Sequence, residues 1–62
     1  MKFKDVKVGQ RFTKEGWAKG AYHTKIEPIK SNNVESGWLT SLASDGIYCA
    51  YVKPDDEVMV LK

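Results

Sequence analysis

Apolar and polar residues alternate along much of this chain with the period of two that is typical of β-strands. The alternation is clearest in residues 21–27, where one face would carry Tyr22, Thr24 and Ile26 and the other His23, Lys25 and Glu27. No window has the i, i+3, i+4, i+7 spacing of an amphipathic helix. The pattern therefore predicts an all-β protein in which the face of Tyr22 is buried.

Glycine and proline divide the chain into pieces of strand length. The pieces predict five strands at residues 10–13, 21–27, 34–42, 47–52 and 58–61. Pro28 is expected to end the second strand or to place it on a sheet edge, and Gly37 to bend the third. Asp45-Gly46 is the clearest turn signal, because it favours the positive φ angles of a tight hairpin.

Five short strands without a helix predict a bent antiparallel sheet that closes on itself, since closure removes exposed edges. Residues 3–8 are expected to form an entering turn capped by Asp5, and residues 53–57 a short 3₁₀ turn before the last strand. This order predicts one domain, residues 1–62, folded as a small five-stranded SH3-like barrel. An OB-fold would need longer strands. The predicted aromatic core is Phe3, Phe12 and Tyr22.

Composition limits the class of protein further. With 42% hydrophobic and 29% charged residues, the chain is too apolar to be disordered. Its single cysteine, Cys49, excludes an internal disulfide, and one cysteine with one histidine cannot complete a zinc site. A lone cysteine fits a reducing compartment, and no apolar run approaches the length of about 20 residues that spans a membrane. We therefore expect a cytoplasmic protein without a membrane segment.

Three short motifs resemble those of a group of small, uncharacterised bacteriophage proteins. They are Val8-Gly9-Gln10-Arg11-Phe12, then Tyr22-His23-Thr24-Lys25-Ile26, then Pro54-Asp55-Asp56-Glu57-Val58 before a last strand. In that group, such motifs frame a small SH3-like barrel, and the resemblance extends over the whole chain. It implies a fold and a phage origin, with the host cytoplasm as the location, and it implies no particular site.

Catalytic and metal-binding patterns are weak in this chain. A hydrolytic triad could be composed from His23 with serine and aspartate residues, but no serine lies on a strand-to-helix elbow. The run Asp55-Asp56-Glu57 could bind a cation, although it lacks calcium-loop spacing and is typical of a solvated turn. Cys49 lies in an apolar strand and is expected in the core. We therefore expect no enzyme activity, no cofactor and no metal.

The seven aromatic residues are more than so small a core can enclose, and those left outside indicate a binding surface. Trp17 and Trp38 each adjoin a glycine, and Tyr48 lies on the second face of the fourth strand. The net charge of +2 permits an anionic partner without requiring one. The predicted binding residues are Trp17, Lys19, Trp38, Tyr48, Arg11 and Lys25.

Three functions fit these residues. The first is a phage accessory protein that binds and inhibits or modulates a host factor, such as a defence or transcription component, because Trp, Tyr and Arg dominate protein interfaces. The second is binding of a nucleotide or single-stranded nucleic acid, including sequestration of a small nucleotide signal, because aromatic rings stack on bases while lysines meet phosphates. The third is a structural or assembly module that acts as a homo-oligomer through exposed strand edges.

Overall fold

The computed structural model describes residues 1–61, which contain one antiparallel sheet with the strand order β4-β3-β2-β1-β5. The strands are β1 (Arg11–Thr13), β2 (His23–Lys30), β3 (Trp38–Ala43), β4 (Cys49–Ala50) and β5 (Met59–Val60). The prediction of an all-β protein with five antiparallel strands is confirmed. The sheet is open, because its two end strands, β4 and β5, do not pair with each other in the described residues.

A single 3₁₀ turn is found among residues 1–61, and it precedes β1 at Phe3–Asp5. Its amides are bound by a distant part of the chain, since Phe3 N–H donates to the Asp56 carbonyl at 2.9 Å. The prediction of a 3₁₀ turn before the last strand is wrong, because residues 53–56 form a tight turn closed by Asp56 N–H and the Lys53 carbonyl. Within residues 1–61, no hydrogen bond to the Asp5 carboxylate caps the 3₁₀ turn. The Lys7 amide donates instead to Gln10 Oε1 at 2.9 Å.

The core lies between the inner face of the sheet and the segments that cover it. Its buried hydrophobic residues are Phe3, Val6, Phe12, Val52 and Val58. The Phe3 and Phe12 rings meet edge to face with centroids 5.1 Å apart. Val60 and Trp17 pack against this cluster from its margin. The prediction of Phe3 and Phe12 as core residues is therefore confirmed.

The predicted inner face of β2 is wrong. Phe12 pairs with His23 across β1 and β2, and residues directly opposite each other on neighbouring strands share a face. His23 therefore points towards the core, whereas Tyr22 is half-buried on the other face, with the Arg11 guanidinium 5.5 Å from its ring centroid. The period of two is as predicted, but the face of β2 that points towards the core is the one that carries His23 and not the one that carries Tyr22.

Pro28 lies inside β2 and does not end it. Pairing with β1 reaches Thr24, and the register with β3 shifts between Lys25 and Ile29. Pro28 falls within that shift, where a missing N–H breaks no ladder hydrogen bond. The last four residues of β2 are exposed, so this end of the β2–β3 hairpin extends beyond the core as an arm, residues 26–39.

The third and fourth strands are shorter than predicted. Residues 34–37 form a turn, with Gly37 at a φ of +79°, so that β3 begins at Trp38. β4 comprises only Cys49–Ala50 because the Thr40 side chain separates Val52 from β3. Thr40 Oγ1 accepts from the Val52 N–H at 2.9 Å and donates to its carbonyl at 3.3 Å. Cys49 is half-buried rather than part of the core.

Candidate functional site: an aromatic cluster around His23

His23 holds together two of the aromatic residues that the sequence singles out. Its ring centroid lies 4.5 Å from that of Trp17 and 6.4 Å from that of Tyr48, with interplanar angles of 41° and 81°. Trp17 rests in turn on Phe12, at 5.8 Å between centroids. We call Trp17, His23, Ser41 and Tyr48 the His23 cluster. This cluster extends from the hydrophobic core to the surface of the protein.

Local hydrogen bonds place each member of the cluster. Two hydrogen bonds close the loop that carries Trp17. The Trp17 N–H donates to the Lys14 carbonyl at 3.1 Å, and Thr13 Oγ1 donates to the Ala21 carbonyl at 2.8 Å. On the other side, Asp45 Oδ1 accepts from the N–H groups of Ile47 and Tyr48 at 2.8 and 3.1 Å. The predicted Asp45-Gly46 turn therefore fixes the backbone that presents Tyr48.

Ser41 holds the imidazole of His23 in one orientation. His23 Nδ1 lies 2.8 Å from Ser41 Oγ, and Ser41 is completely buried at 0% exposure. The hydroxyl also has the Ala50 carbonyl within 3.5 Å, so the serine links β2, β3 and β4. A nucleophilic serine must be reachable by its substrate. This buried hydroxyl has the position of a structural anchor.

The electrostatics of the cluster favour neutral His23. Burial lowers the pKa of the imidazole below its ordinary value, and the nearby Asp45 carboxylate offsets part of that effect. The pKa of Asp45 is itself lowered, chiefly because the Ile47 and Tyr48 N–H groups donate to the ionised form. At neutral pH the cluster is thus an uncharged aromatic surface with one anion at the adjacent turn.

The cluster contains two of the three predicted aromatic binding residues and leaves out the third. Trp17 and Tyr48 join through His23, and exposed Lys19 lies in the Trp17 loop. Trp38, at 46% exposure, pairs with Lys30 at the far end of the β2–β3 ladder. At about 3.3 Å per residue, the length of β2 places Trp38 roughly 20 Å away along the sheet.

Two of the three predicted basic residues, Lys25 and Arg11, have partners within the protein, and so does the neighbouring Lys14. Lys25 Nζ donates to the Phe3 carbonyl at 3.1 Å and lies 4.7 Å from the centroid of its ring. Arg11 lies over Tyr22, on the face opposite to Phe12. Lys14 pairs with Asp56 at 3.0 Å, and this hydrogen bond holds the pKa of Asp56 below its usual value. Of the three predicted basic residues, only Lys19 is exposed in the loop that carries Trp17.

The acidic turn forms ion pairs. Asp55 lies 3.8 Å from Lys4 Nζ, and Glu57 lies 3.0 Å from the amino group of Met1, which lowers the pKa of Glu57. Within residues 1–61, no three His, Cys, Asp or Glu side chains are grouped so that they could hold a metal ion. In the same residues, no helix has the length and apolarity needed to cross a membrane.

Two members of the cluster were not predicted as site residues. The alternation predicts His23 on the more polar face of its strand, and Ser41 carries no recognisable signal in the sequence. The pairing of Phe12 with His23 is what places His23 on the core face. That pairing depends on which residues of β1 and β2 stand opposite each other, and the loop between them shows no turn motif that sets the register.

Comparison with known proteins finds no family that matches this chain, and neither a curated protein nor a solved structure is significantly similar to it. The function must therefore be inferred from the geometry of the chain itself.

Proposed function

We propose that this chain is a non-enzymatic binding protein that recognises another protein through the hairpin surface, which we define as Trp17, Ile47 and Tyr48. The observation that carries the proposal is the exposure of two adjacent apolar residues at the tip of the β3–β4 hairpin. Ile47 is 85% and Tyr48 61% exposed, and the Tyr48 ring meets His23 edge to face. Exposed aromatic and aliphatic anchors on a rigid base are the usual centre of a protein interface.

The strand order supports an SH3-like barrel as the scaffold. Strands β1 to β4 follow each other across the sheet, and β5 returns to the free side of β1. The register shift in β2 is the kind of irregularity at which a strand bends from one half of a small barrel to the other. In this scaffold the loop of Trp17 and the β3–β4 hairpin meet at one end.

A protein partner fits the charges better than a polynucleotide does. Nucleic-acid affinity depends on several cations that neutralise phosphates. Lys25 and Lys14 are instead bonded within the protein, and Arg11 stacks on Tyr22. A single exposed lysine beside Trp17 offers little attraction for a chain of phosphates, whereas it suits the polar rim of a protein interface.

The resemblance of the three motifs to those of small phage proteins supports a role as a phage accessory protein. The partner would then be a host factor in the host cytoplasm that is inhibited or modulated by binding. Such a protein needs no active site, because occupying a surface of the target suffices. The buried Ser41 beside His23 agrees with a role in binding. A single nucleotide remains the second candidate ligand, since Trp17 with Lys19 could stack on a base and meet a phosphate.

The experiment compares capture of proteins from a bacterial lysate by the immobilised wild type and by two variants. The first, Ile47→Asp with Tyr48→Ala, removes the exposed part of the hairpin surface. The second, Trp38→Ala, removes an exposed aromatic residue at the other end of the sheet. Trp17 is left unchanged because it packs against the core, so that its truncation would confound binding with folding.

We expect a specific protein to be retained by the wild type and by Trp38→Ala and to be lost from the double variant. If the wild type and both variants retain the same protein, the hairpin surface is not its binding site. Titration of the wild type with a fluorescent single-stranded oligonucleotide at low salt provides the contrast. If the oligonucleotide binds and its affinity falls steeply with added salt, the ligand is a nucleic acid and the protein-binding proposal is contradicted, because counterion release governs nucleic-acid affinity.

A further inference from the structure

The two edges of the sheet differ in how their backbone groups are satisfied. Directly before β5, the outward N–H of Val58 donates to the Met1 carbonyl at 2.8 Å, and the Met1 amino group lies 3.3 Å from the Val58 carbonyl. Lys2 forms a β-bridge with Glu57 beside them. The N-terminal residues therefore cover part of the β5 edge.

No segment of the described chain, residues 1–61, pairs with the β4 edge in this way. Ala43 N–H donates to the Tyr48 carbonyl, and Ala50 pairs with Ser41, so residues 48 and 50 turn their backbone groups towards β3. Because hydrogen-bonding directions alternate along a strand, Cys49 and Tyr51 turn theirs outward. By this alternation the N–H and carbonyl of Cys49 point away from Leu42, its partner in the β3–β4 ladder, and within residues 1–61 no backbone hydrogen bond involves the N–H or carbonyl of Tyr51.

The sequence of this edge lacks the usual protection against strand pairing. Exposed edges normally carry lysine, proline or an inward charge, which block addition of another strand. Residues 47–52, Ile-Tyr-Cys-Ala-Tyr-Val, contain neither charge nor proline. A second copy of the same neutral segment meets no like-charge repulsion, and the segment can pair with itself about a two-fold axis.

We propose that β4 pairs antiparallel with β4 of a second copy, which joins the two five-stranded sheets into one. Outward-facing Cys49 then exchanges hydrogen bonds with Tyr51 of the second copy, and Tyr51 does so with Cys49 of that copy. Ala50 lies on the axis opposite Ala50 of the second copy, in a non-hydrogen-bonded pair whose Cα atoms approach to about 4.5 Å. The small methyl group suits that close approach. The proposal rests on the backbone of residues 49–51 and not on the side chains of the hairpin surface, which lie at the tip of the same hairpin.

Disulfide formation tests the register. In the double variant Cys49→Ser, Ala50→Cys, the two cysteines face each other across the axis, within the Cα range of about 4.4–6.8 Å that a disulfide spans. In the wild type, Cys49 and its counterpart are diagonal neighbours about 7–8 Å apart. We expect the variant to become a covalent dimer in a glutathione buffer and the wild type to remain largely uncrosslinked. If the wild type crosslinks through Cys49 more readily than the variant does through its cysteine at position 50, the proposed register is wrong.

A proline substitution tests the edge itself, read out by the molar mass in solution over a range of concentrations. Tyr51→Pro removes the outward N–H, which has no role inside the protomer, while Tyr51→Ala removes the side chain and keeps that N–H. Because the symmetric interface would lose a hydrogen bond from each copy, Tyr51→Pro should weaken dimerisation by about tenfold or more relative to Tyr51→Ala. A monomeric wild type at high concentration, or equal weakening by both variants, would contradict the proposal. Unchanged circular dichroism would confirm that both variants fold.

Discussion

At the scale of single residues, His23 is the least expected member of the core face. A polar ring is stable there because Ser41 satisfies Nδ1 at 2.8 Å and because Trp17 lies against its face. Burying such a group without a partner would be costly. The arrangement stabilises neutral His23, and it links the stability of the fold to pH.

Stability should therefore fall as the pH drops below about 6.5, the ordinary pKa of histidine. Burial lowers the pKa of His23 in the folded state, so the unfolded chain binds a proton more readily in this range and unfolding is favoured by acid. The stability that neutral His23 contributes to the fold is fully present above about pH 6.5, and it is lost as the pH falls through the lowered pKa of the folded state. One such group changes the free energy of unfolding by at most about 1.4 kcal/mol per pH unit.

Urea unfolding of the wild type and His23→Gln between about pH 7 and pH 5 checks this effect. Glutamine keeps a hydrogen-bonding side chain and does not titrate, so the slope should nearly vanish in the variant. Equal slopes in both proteins would assign the effect to another group. The carboxylates with lowered pKa values, Asp45, Asp56 and Glu57, should destabilise both proteins alike at lower pH.

At the scale of elements, the junction of β3 and β4 shows how a side chain extends a sheet. Thr40 Oγ1 takes the place of a backbone group for both the N–H and the carbonyl of Val52. Val52 thereby remains buried while the strand bends away from β3. The hydroxyl thus connects the end of the ladder to the core.

Thr40→Val should destabilise the protein by about 1–3 kcal/mol, because the isosteric side chain leaves two polar groups of Val52 without a partner. The matched control is Thr24→Val, since Thr24 is also half-buried and its hydroxyl, unlike those of Thr13 and Thr40, makes no hydrogen bond within residues 1–61. Urea unfolding gives the free energies, and hydrogen exchange should accelerate at the Val52 amide. Equal effects of the two substitutions would show that Thr40 does not stabilise through these bonds.

The elements also show what could be predicted from the sequence. Alternation gave five strands, and Asp45-Gly46 marked its hairpin, because period and turn chemistry are local properties. The inner face of β2 could not be predicted, since both of its faces carry amphipathic residues and the register with Phe12 decides between them. The 3₁₀ turn was misplaced for a similar reason, because the amides of Phe3 and Lys4 bind carbonyls near the other end of the chain.

The candidate site was predictable only in part, for the same physical reason. A surplus of aromatic residues over core volume indicated Trp17 and Tyr48, which the structure brings together through His23. Composition alone could not place Trp38 at the opposite end of the ladder. Nor could it show that Lys25 bonds to the Phe3 carbonyl. Both facts depend on tertiary contacts.

At the scale of the whole molecule, burial is concentrated at one end. The core cluster and Ser41 lie around the His23 end of the sheet, whereas the last residues of β2 and the first of β3 are exposed. Regions with few buried contacts open at lower free energy than the core. The arm, residues 26–39, should therefore open locally while the rest of the sheet stays folded.

Two glycines with nearly the same backbone conformation allow a matched test. Gly37 in the arm has a φ of +79° and Gly46 in the β3–β4 hairpin a φ of +77°, and an added Cβ would meet no atom within 4 Å at either position. Alanine at each site therefore introduces a similar backbone strain of about 1–2 kcal/mol without a clash. Any difference between the two variants must arise from how each segment is coupled to global unfolding.

Gly46→Ala should lower the free energy of global unfolding by most of that strain, because the hairpin carries Tyr48 against the core end of the sheet. Gly37→Ala should lower it less, since the loss cannot exceed the free energy at which the arm opens by itself. In Gly37→Ala, amide hydrogen exchange should accelerate at Ile29 and Leu39 and change little at Phe12. Equal losses of global stability, together with uniform exchange, would mean that the arm and the core unfold as one unit.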